Sequence, residues 1–248
     1  MEKEVRNTTK KMLMYFIVFA ITMMFGAFIS AYIVSSMGQY WVHITPPSAF
    51  MISNIIIVAA SGTLFLANRA IKKGYVGKMK AMLYAALILG GAFVFTQLSG
   101  WKELSAWGNG WNNRPTEFGV ATSWNSIETL LNGSAVYGED YEVKINGESL
   151  IFDEETRELY GPIDELKLEP ITDKVKVLTN TSSGYLWVLI LVHILHLVFG
   201  FIYLLVNIVR AHKGVFDAEN NVQIYTLGTY WHFLGGLWLV LFFILFSV

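Results

Sequence analysis

Five stretches of this chain have the length that an α-helix needs, about 20 residues, to cross the roughly 30 Å hydrocarbon core of a bilayer. They are Met12–Ser36, Ala49–Ala67, Met79–Gln97, Tyr185–Val209 and Thr226–Val248, and Lys80 is the only Asp, Glu, Lys or Arg within them. Hydrocarbon offers no water to backbone N–H and C=O groups, so such stretches must satisfy those groups internally, as helices. The first stretch is too long for the apolar core of a signal peptide and lacks a small-residue cleavage site, so it is expected to be a retained anchor. The 15% charged content falls well below the roughly 25% of a soluble domain. The chain has no cysteine, which excludes disulfides, thiolate metal sites and thiol catalysis within it. A net charge of −1 gives no sign of nucleic-acid binding.

Lys and Arg near the helix ends set orientation. Lys3, Arg6, Lys10 and Lys11 precede the first stretch, Arg69, Lys72, Lys73, Lys78 and Lys80 lie between the second and third, and Arg210 and Lys213 lie between the fourth and fifth. The loop Met37–Ser48 has neither residue. The N-terminus and the basic loops are therefore expected on the cytoplasmic side, with the C-terminus outside.

Gly108–Ser183 interrupts the apolar pattern, with 14 acidic residues against 6 basic ones. It divides the chain into helices 1–3 (1–107), an acidic outer insert (108–183) and helices 4–5 (184–248). Within the insert, Tyr141–Asp153 alternates about Asn146-Gly147, the strongest short hairpin signal. Lys174–Leu178 alternates too, which predicts another short strand. The insert reads either as a small β-rich surface with solvated acidic faces or as a docking surface, since acidic patches steer basic partners.

His43 and His212 are expected in loops. His193, His196 and His232 fall within the membrane stretches, where ionisable groups are rare and often functional. Metal ligation, a proton-linked role and structural packing are the three readings. Counting at 1.5 Å per residue places His196 about 20 Å and His232 about 9 Å from the inner helix ends, so the two differ in depth by about 10 Å. That mismatch disfavours a shared metal. A neutral imidazole can instead tie helices together by hydrogen bonds, with Ser61, Thr63, Thr96 and Gln97 as available partners. Gly90-Gly91, Gly200 and Gly235-Gly236 would let helices approach closely.

Four stretches, in this order, resemble the cytochrome c oxidase subunit III family of the haem–copper oxidases. Pro46-Pro47 leads the Ile57–Thr63 run, which continues through Leu66-Ala67-Asn68-Arg69-Ala70. Gln97-Leu98-Ser99-Gly100-Trp101 is similar to a Gln-x-x-Glu-aromatic turn. His193-x-x-His196-x-x-x-Gly200 matches a helix motif of the family, and Tyr230-Trp231-His232-Phe233 followed by Trp238 matches its C-terminal signature. Gly100 and Gly235 stand where that family has glutamate and often aspartate, and Asn68 and Arg69 replace its usual histidines.

The resemblance implies an all-α membrane protein, a five-helix bundle of the short subunit III type, with a small β-rich extracytoplasmic insert. It implies a non-redox accessory subunit of a respiratory terminal oxidase in a bacterial inner membrane, with no catalytic centre, cofactor or metal in this chain. Haem and copper would sit in subunits I and II, its expected partners, and the chain would support proton uptake and stability. Bound phospholipid is expected, with Arg69, Lys72 and Arg210 as headgroup candidates. Residues 108–183 are expected to meet another respiratory complex or a membrane-bound cytochrome. An independent membrane cytochrome with histidine ligands, or the subunit III-like protein of a nitric oxide reductase, remains the alternative.

Overall fold

The computed structural model describes residues 2–37, 40–110, 113–116, 119–122, 126–176 and 181–247. In chain order the elements are α1 (Glu2–Ser36), β1 (Trp41–Ile44), α2 (Ser48–Lys72), α3 (Val76–Ala106), β2 (Asn113–Thr116) and β3 (Gly119–Thr122). Then come α4 (Ser126–Leu131), β4 (Tyr141–Ile145), β5 (Glu148–Ser149), β6 (Ile151–Asp153), β7 (Glu158–Tyr160), α5 (Thr172–Lys176), α6 (Thr181–His212) and α7 (Val222–Ser247). α1, α2, α3, α6 and α7 are each long and apolar enough to cross a membrane, so the chain is a multi-pass membrane protein in class. Val248, at the end of the fifth stretch, lies outside the described residues.

The chain divides into two compact units. The first comprises Met1–Ala27, Met51–Gln97 and Ile190–Phe242. Its helices pack through seams at alternating spacings of four and three. α2 buries Ser53, Ile57, Ala60, Leu64, Ala67 and Ile71, and α3 buries Met79, Leu83, Ala86, Gly90, Phe93 and Gln97. That 3.5-residue repeat is the geometry of left-handed helix packing. The opposite faces expose Ile55, Ile88 and Phe95 at 70% or more, which suits contact with lipid rather than water. α2 ends at Gly74 (φ 77°), with Tyr75 N–H donating to the Ala70 carbonyl and Gly74 N–H to that of Ile71. α6 ends the same way at Gly214 (φ 70°), through Val215 to Arg210 and Gly214 to Ala211. Both are Schellman caps, which need a left-handed residue that glycine supplies without strain. Arg69 and Lys72, then Arg210 and His212, occupy the last turns of these helices, where cations complement the helix dipole.

The second unit comprises Phe28–Phe50, Leu98–Leu189 and Phe243–Val248. A three-stranded antiparallel sheet runs in the order β1-β4-β5. β4 and β5 form the expected hairpin, and both turn residues are left-handed, Asn146 at φ 52° and Gly147 at φ 85°, as a two-residue type I′ turn requires. β1 joins from the short loop between α1 and α2, pairing Trp41 with Lys144 and Ile44 with Tyr141. His43 therefore lies in a strand rather than a loop, opposite Glu142, and His212 is the last residue of α6, its ring 2.8 Å from the Tyr84 hydroxyl. The alternation through Asp153 does not continue as one hairpin: the chain breaks at buried Leu150, and β6 pairs with β7. β2 and β3 form a separate hairpin.

Lys174–Leu178 is not a strand over its described part. Thr172–Lys176 is the short helix α5, while Val177 and Leu178 lie outside the described residues. Val175 is buried, at 1% exposure. Asp173 in the first turn and Lys174 and Lys176 in the last suit the helix dipole, and Lys176 reaches Asp173 at 3.1 Å. Local electrostatics outweighs a two-residue alternation.

Gly100 explains one departure from the family pattern. A Cβ there would lie 2.3 Å from the Phe50 ring, itself fully buried against Phe246. The space a glutamate would occupy is filled by that ring. Gly100→Ala should lower the melting temperature of the detergent-solubilised protein, since forcing side-chain volume into a packed site costs about 1–3 kcal/mol. Gly100→Ala combined with Phe50→Leu should recover part of the loss.

Candidate functional site

All residues of the His-x-x-His and Tyr-Trp-His-Phe stretches lie in the first unit, on α6 and α7. Gly200 is the contact point. A Cβ on it would meet Leu234 at 3.3 Å, Tyr230 at 3.4 Å and Trp231 at 3.7 Å. One turn away, the Tyr230 hydroxyl donates to the His196 carbonyl at 3.0 Å. Gly90 on α3 serves similarly, because a Cβ there would lie 2.8 Å from Phe201, which packs edge-on against Trp231. Gly91 and Gly236 have open space instead, and Gly235 would meet only Ile57.

His193 and His196 both lie against Phe25, their ring centroids 6.4 and 5.8 Å from it, whereas His232 turns to α2. His193 is 2% exposed, with its ring 5.5 Å from Trp238 and 6.4 Å from Phe25. Among the described residues its Nδ1 has no hydrogen-bond partner. His196 donates from Nδ1 to the Val192 carbonyl at 2.7 Å, which leaves Nε2 as the acceptor of a neutral ring. His232 bonds through Nδ1 to the Ser61 hydroxyl on α2. The count along the sequence sets His196 and His232 about 10 Å apart in depth. The Gly200–Leu234 contact keeps this offset: His196 lies four residues to one side of it on α6 and His232 two residues to the other side on antiparallel α7, about 9 Å in all. Depth and direction both keep these two rings apart, His196 lining the cavity beside α1 and His232 the one beside α2. Among the described residues no group of three or more His, Asp or Glu could hold a metal ion.

The remaining signature residues serve as ties. Trp238 donates from Nε1 to Asn54 at 3.0 Å, joining α7 to α2. Gln97 donates to buried Ser53 at 2.8 Å, joining α3 to α2. Thr63 and Thr96, also available partners by sequence, bond back to carbonyls of their own helices. Trp231 is buried and Phe233 half-buried. Trp101, in the second unit, packs against Trp187 at 5.9 Å.

Two cavities flank α7. One, about 520 Å³, is lined by Ser61, Gly62, His232, Gly235 and Gly236. The other, about 650 Å³, runs between α1, α6 and α7. Lys10, Leu13, Met14, Ile17, Ala20 and Ile21 form its α1 wall, a stripe at helical spacing, with His196, Tyr203 and Tyr230 opposite. A cationic cluster lies at the same end of α1. Lys11 and Lys72 place their ammonium groups 5.3 and 5.9 Å from the Tyr225 ring, and Tyr225 meets Tyr15 hydroxyl to hydroxyl at 2.8 Å. Of the sequence-based headgroup candidates, Lys72 belongs to this cluster. Arg69 is exposed and Arg210 half-buried, and neither forms a salt bridge among the described residues. Lys10, Lys11 and Tyr225 were not singled out by sequence, although the Lys10-Lys11 pair and the stripe below it are visible there.

No known protein family matches this chain, and no curated protein matches it.

A double-mutant cycle of Ser61→Ala and His232→Ala should return a coupling of about 0.5–1.5 kcal/mol, the range of hydrogen bonds between membrane helices. Thermal unfolding of the four proteins in one detergent measures it. Gly200→Leu should destabilise more than either single variant, because its contacts leave no room for the side chain.

Proposed function

We propose that this chain is a non-redox accessory subunit of the cytochrome c oxidase subunit III type, in the short five-helix form, within a haem–copper terminal oxidase. The observation that carries this reading is the meeting of the two signature stretches. They are separated by some thirty residues, yet Gly200 packs on Tyr230, Trp231 and Leu234, and Tyr230 caps the His196 carbonyl. Trp238 completes the arrangement by stacking on His193 and bonding Asn54. His193, Gly200, Tyr230, Trp231 and Trp238 thus have packing roles, as expected of a chain that supports a redox partner. Haem and copper then belong to subunits I and II.

The proposed setting is a bacterial inner membrane, with the N-terminus and basic loops cytoplasmic and the insert and C-terminus outside. The distribution of Lys and Arg supports this. Phospholipid is the proposed occupant of the cavity between α1, α6 and α7. The apolar wall from Leu13 to Ile21 suits an acyl chain, while Lys10, Lys11 and Lys72 offer cations at one end for a phosphate.

A tagged pull-down in mild detergent tests the assignment, with reduced-minus-oxidised spectra taken before and after the partners are stripped away. Haem should arrive with large co-purifying subunits and leave with them. A haem band retained by the stripped chain would favour the independent cytochrome instead. Lipid mass spectrometry tests the cavity: Lys10→Glu with Lys11→Glu should reduce bound anionic phospholipid at least severalfold, whereas Arg69→Ala should leave it nearly unchanged.

A further inference from the structure

The insert carries an apolar projection that none of the foregoing uses. Between Tyr160 and Pro170 the chain leaves the β6–β7 hairpin and returns to it. Its ends are joined by a β-bridge between those two residues and by Ile171 N–H donating to the Leu159 carbonyl at 2.8 Å. This is a compact Ω-loop, and it displays Ile163, Leu166 and Leu168 at 87%, 79% and 78% exposure. Single exposed aliphatics are ordinary, but a cluster on one short loop marks an interaction site.

The loop is held rigid in that display. The Asp164 carboxylate accepts from Leu168 N–H at 3.0 Å and from Glu169 N–H at 2.9 Å. Those two donors, that of Glu169 foremost, hold its carboxyl below the ordinary range. Lys167 takes a left-handed conformation (φ 53°) and reaches Asp153 at 3.1 Å. Backbone and side-chain ties therefore fix a segment whose apolar groups gain nothing from water.

The structure assigns this loop as a docking knob for a protein partner that presents an apolar recess rimmed by Lys or Arg. Charge selects the partner. Asp164, Glu165 and Glu169 are interspersed with the three aliphatics along the loop, against Lys167 alone, and the whole segment 108–183 is acidic. An anionic lipid surface repels such a loop, and so does a second copy of the same loop. A basic rim complements it, steering approach over a Debye length before the aliphatics seat. The inference deepens the reading of the insert as a docking surface and rests on it. It does not rest on the oxidase assignment, which the haem spectrum tests separately.

Photocrosslinking in the intact membrane tests it, with p-benzoylphenylalanine replacing Leu166 or Leu168 in the full-length chain and exposed Glu148 as the control position. The knob positions should crosslink to one protein, through a peptide in which aliphatics are flanked by Lys or Arg, and Glu148 should not. Ile163→Ser with Leu166→Ser and Leu168→Ser should lower recovery of that protein at least tenfold. Glu165→Lys with Glu169→Lys, which leaves the pinning contacts of Asp164 and Lys167 in place, should lower it severalfold at low salt and less at high salt. Crosslinks to lipid or to another copy of this chain, crosslinks equal at Glu148, or undiminished recovery with both variants would overturn the assignment.

Discussion

Helices in a bilayer gain nothing by hiding apolar surface from one another, because lipid tails are as apolar as leucine. Packing and hydrogen bonds must hold them instead. The contact at Gly200 is where this constraint is met most plainly. It lets Tyr230 and Trp231 lie against the α6 backbone, close enough for the Tyr230 hydroxyl to reach a main-chain carbonyl. The same logic recurs at Gly90 against Phe201 and in the side-chain ties of Ser61, Asn54 and Gln97. Every one of these polar groups sits in an apolar stretch where an unpaired donor or acceptor is expensive. Together they select one arrangement of the helices from many that apolar surfaces alone would allow.

The histidines follow from that logic. Each has a neighbour that accounts for its presence: Trp238 and Phe25 for His193, a carbonyl of its own helix for His196, and a serine hydroxyl for His232. His193 and His196 share Phe25, while His232 lies about 9 Å from His196 in depth and faces α2. Of the three, His232 fastens one helix to another by a hydrogen bond, and the other two pack against aromatic rings. The chemistry they could offer a ligand is local: an imidazole acceptor at one cavity and an imidazole–serine pair at the other.

Much of this was legible in the sequence. Five long apolar stretches predict five helices, and Asn146-Gly147 predicts a hairpin with two left-handed residues. Of the four polar residues that the sequence offers as partners for the membrane histidines, Ser61 meets one, while Gln97 pairs with Ser53. What escaped was direction. In a helix that is apolar all round, hydrophobic periodicity does not say which face packs, so the seam of α3 shows only in small or polar residues such as Ala86, Gly90 and Gln97. Depth reckoned by counting agrees with the helix bounds: measured from His212 and Val222, the inner ends of α6 and α7, His196 and His232 again differ by about 9 Å. The short strand β1 has no signal of its own, because its pairing depends on residues far along the chain. The Lys-Val-Lys-Val alternation misled because a period of two over so few residues yields to helix-end charges.

That remote pairing bears on how the protein is made. Trp41 and Lys144 are partners in the sheet, so β1 is synthesised roughly 100 residues before β4. At about 5–20 residues per second, the first strand waits several seconds with its hydrogen-bonding edge open. During that interval α2 and α3 emerge from the ribosome and enter the bilayer. The sheet closes only after the chain has crossed the membrane twice more, so its completion reports that the first three helices have been threaded in order. The unpaired edge is also open to wrong pairings throughout the wait. In the order of its making, the sheet's first strand is laid down early and its closure waits for α2 and α3.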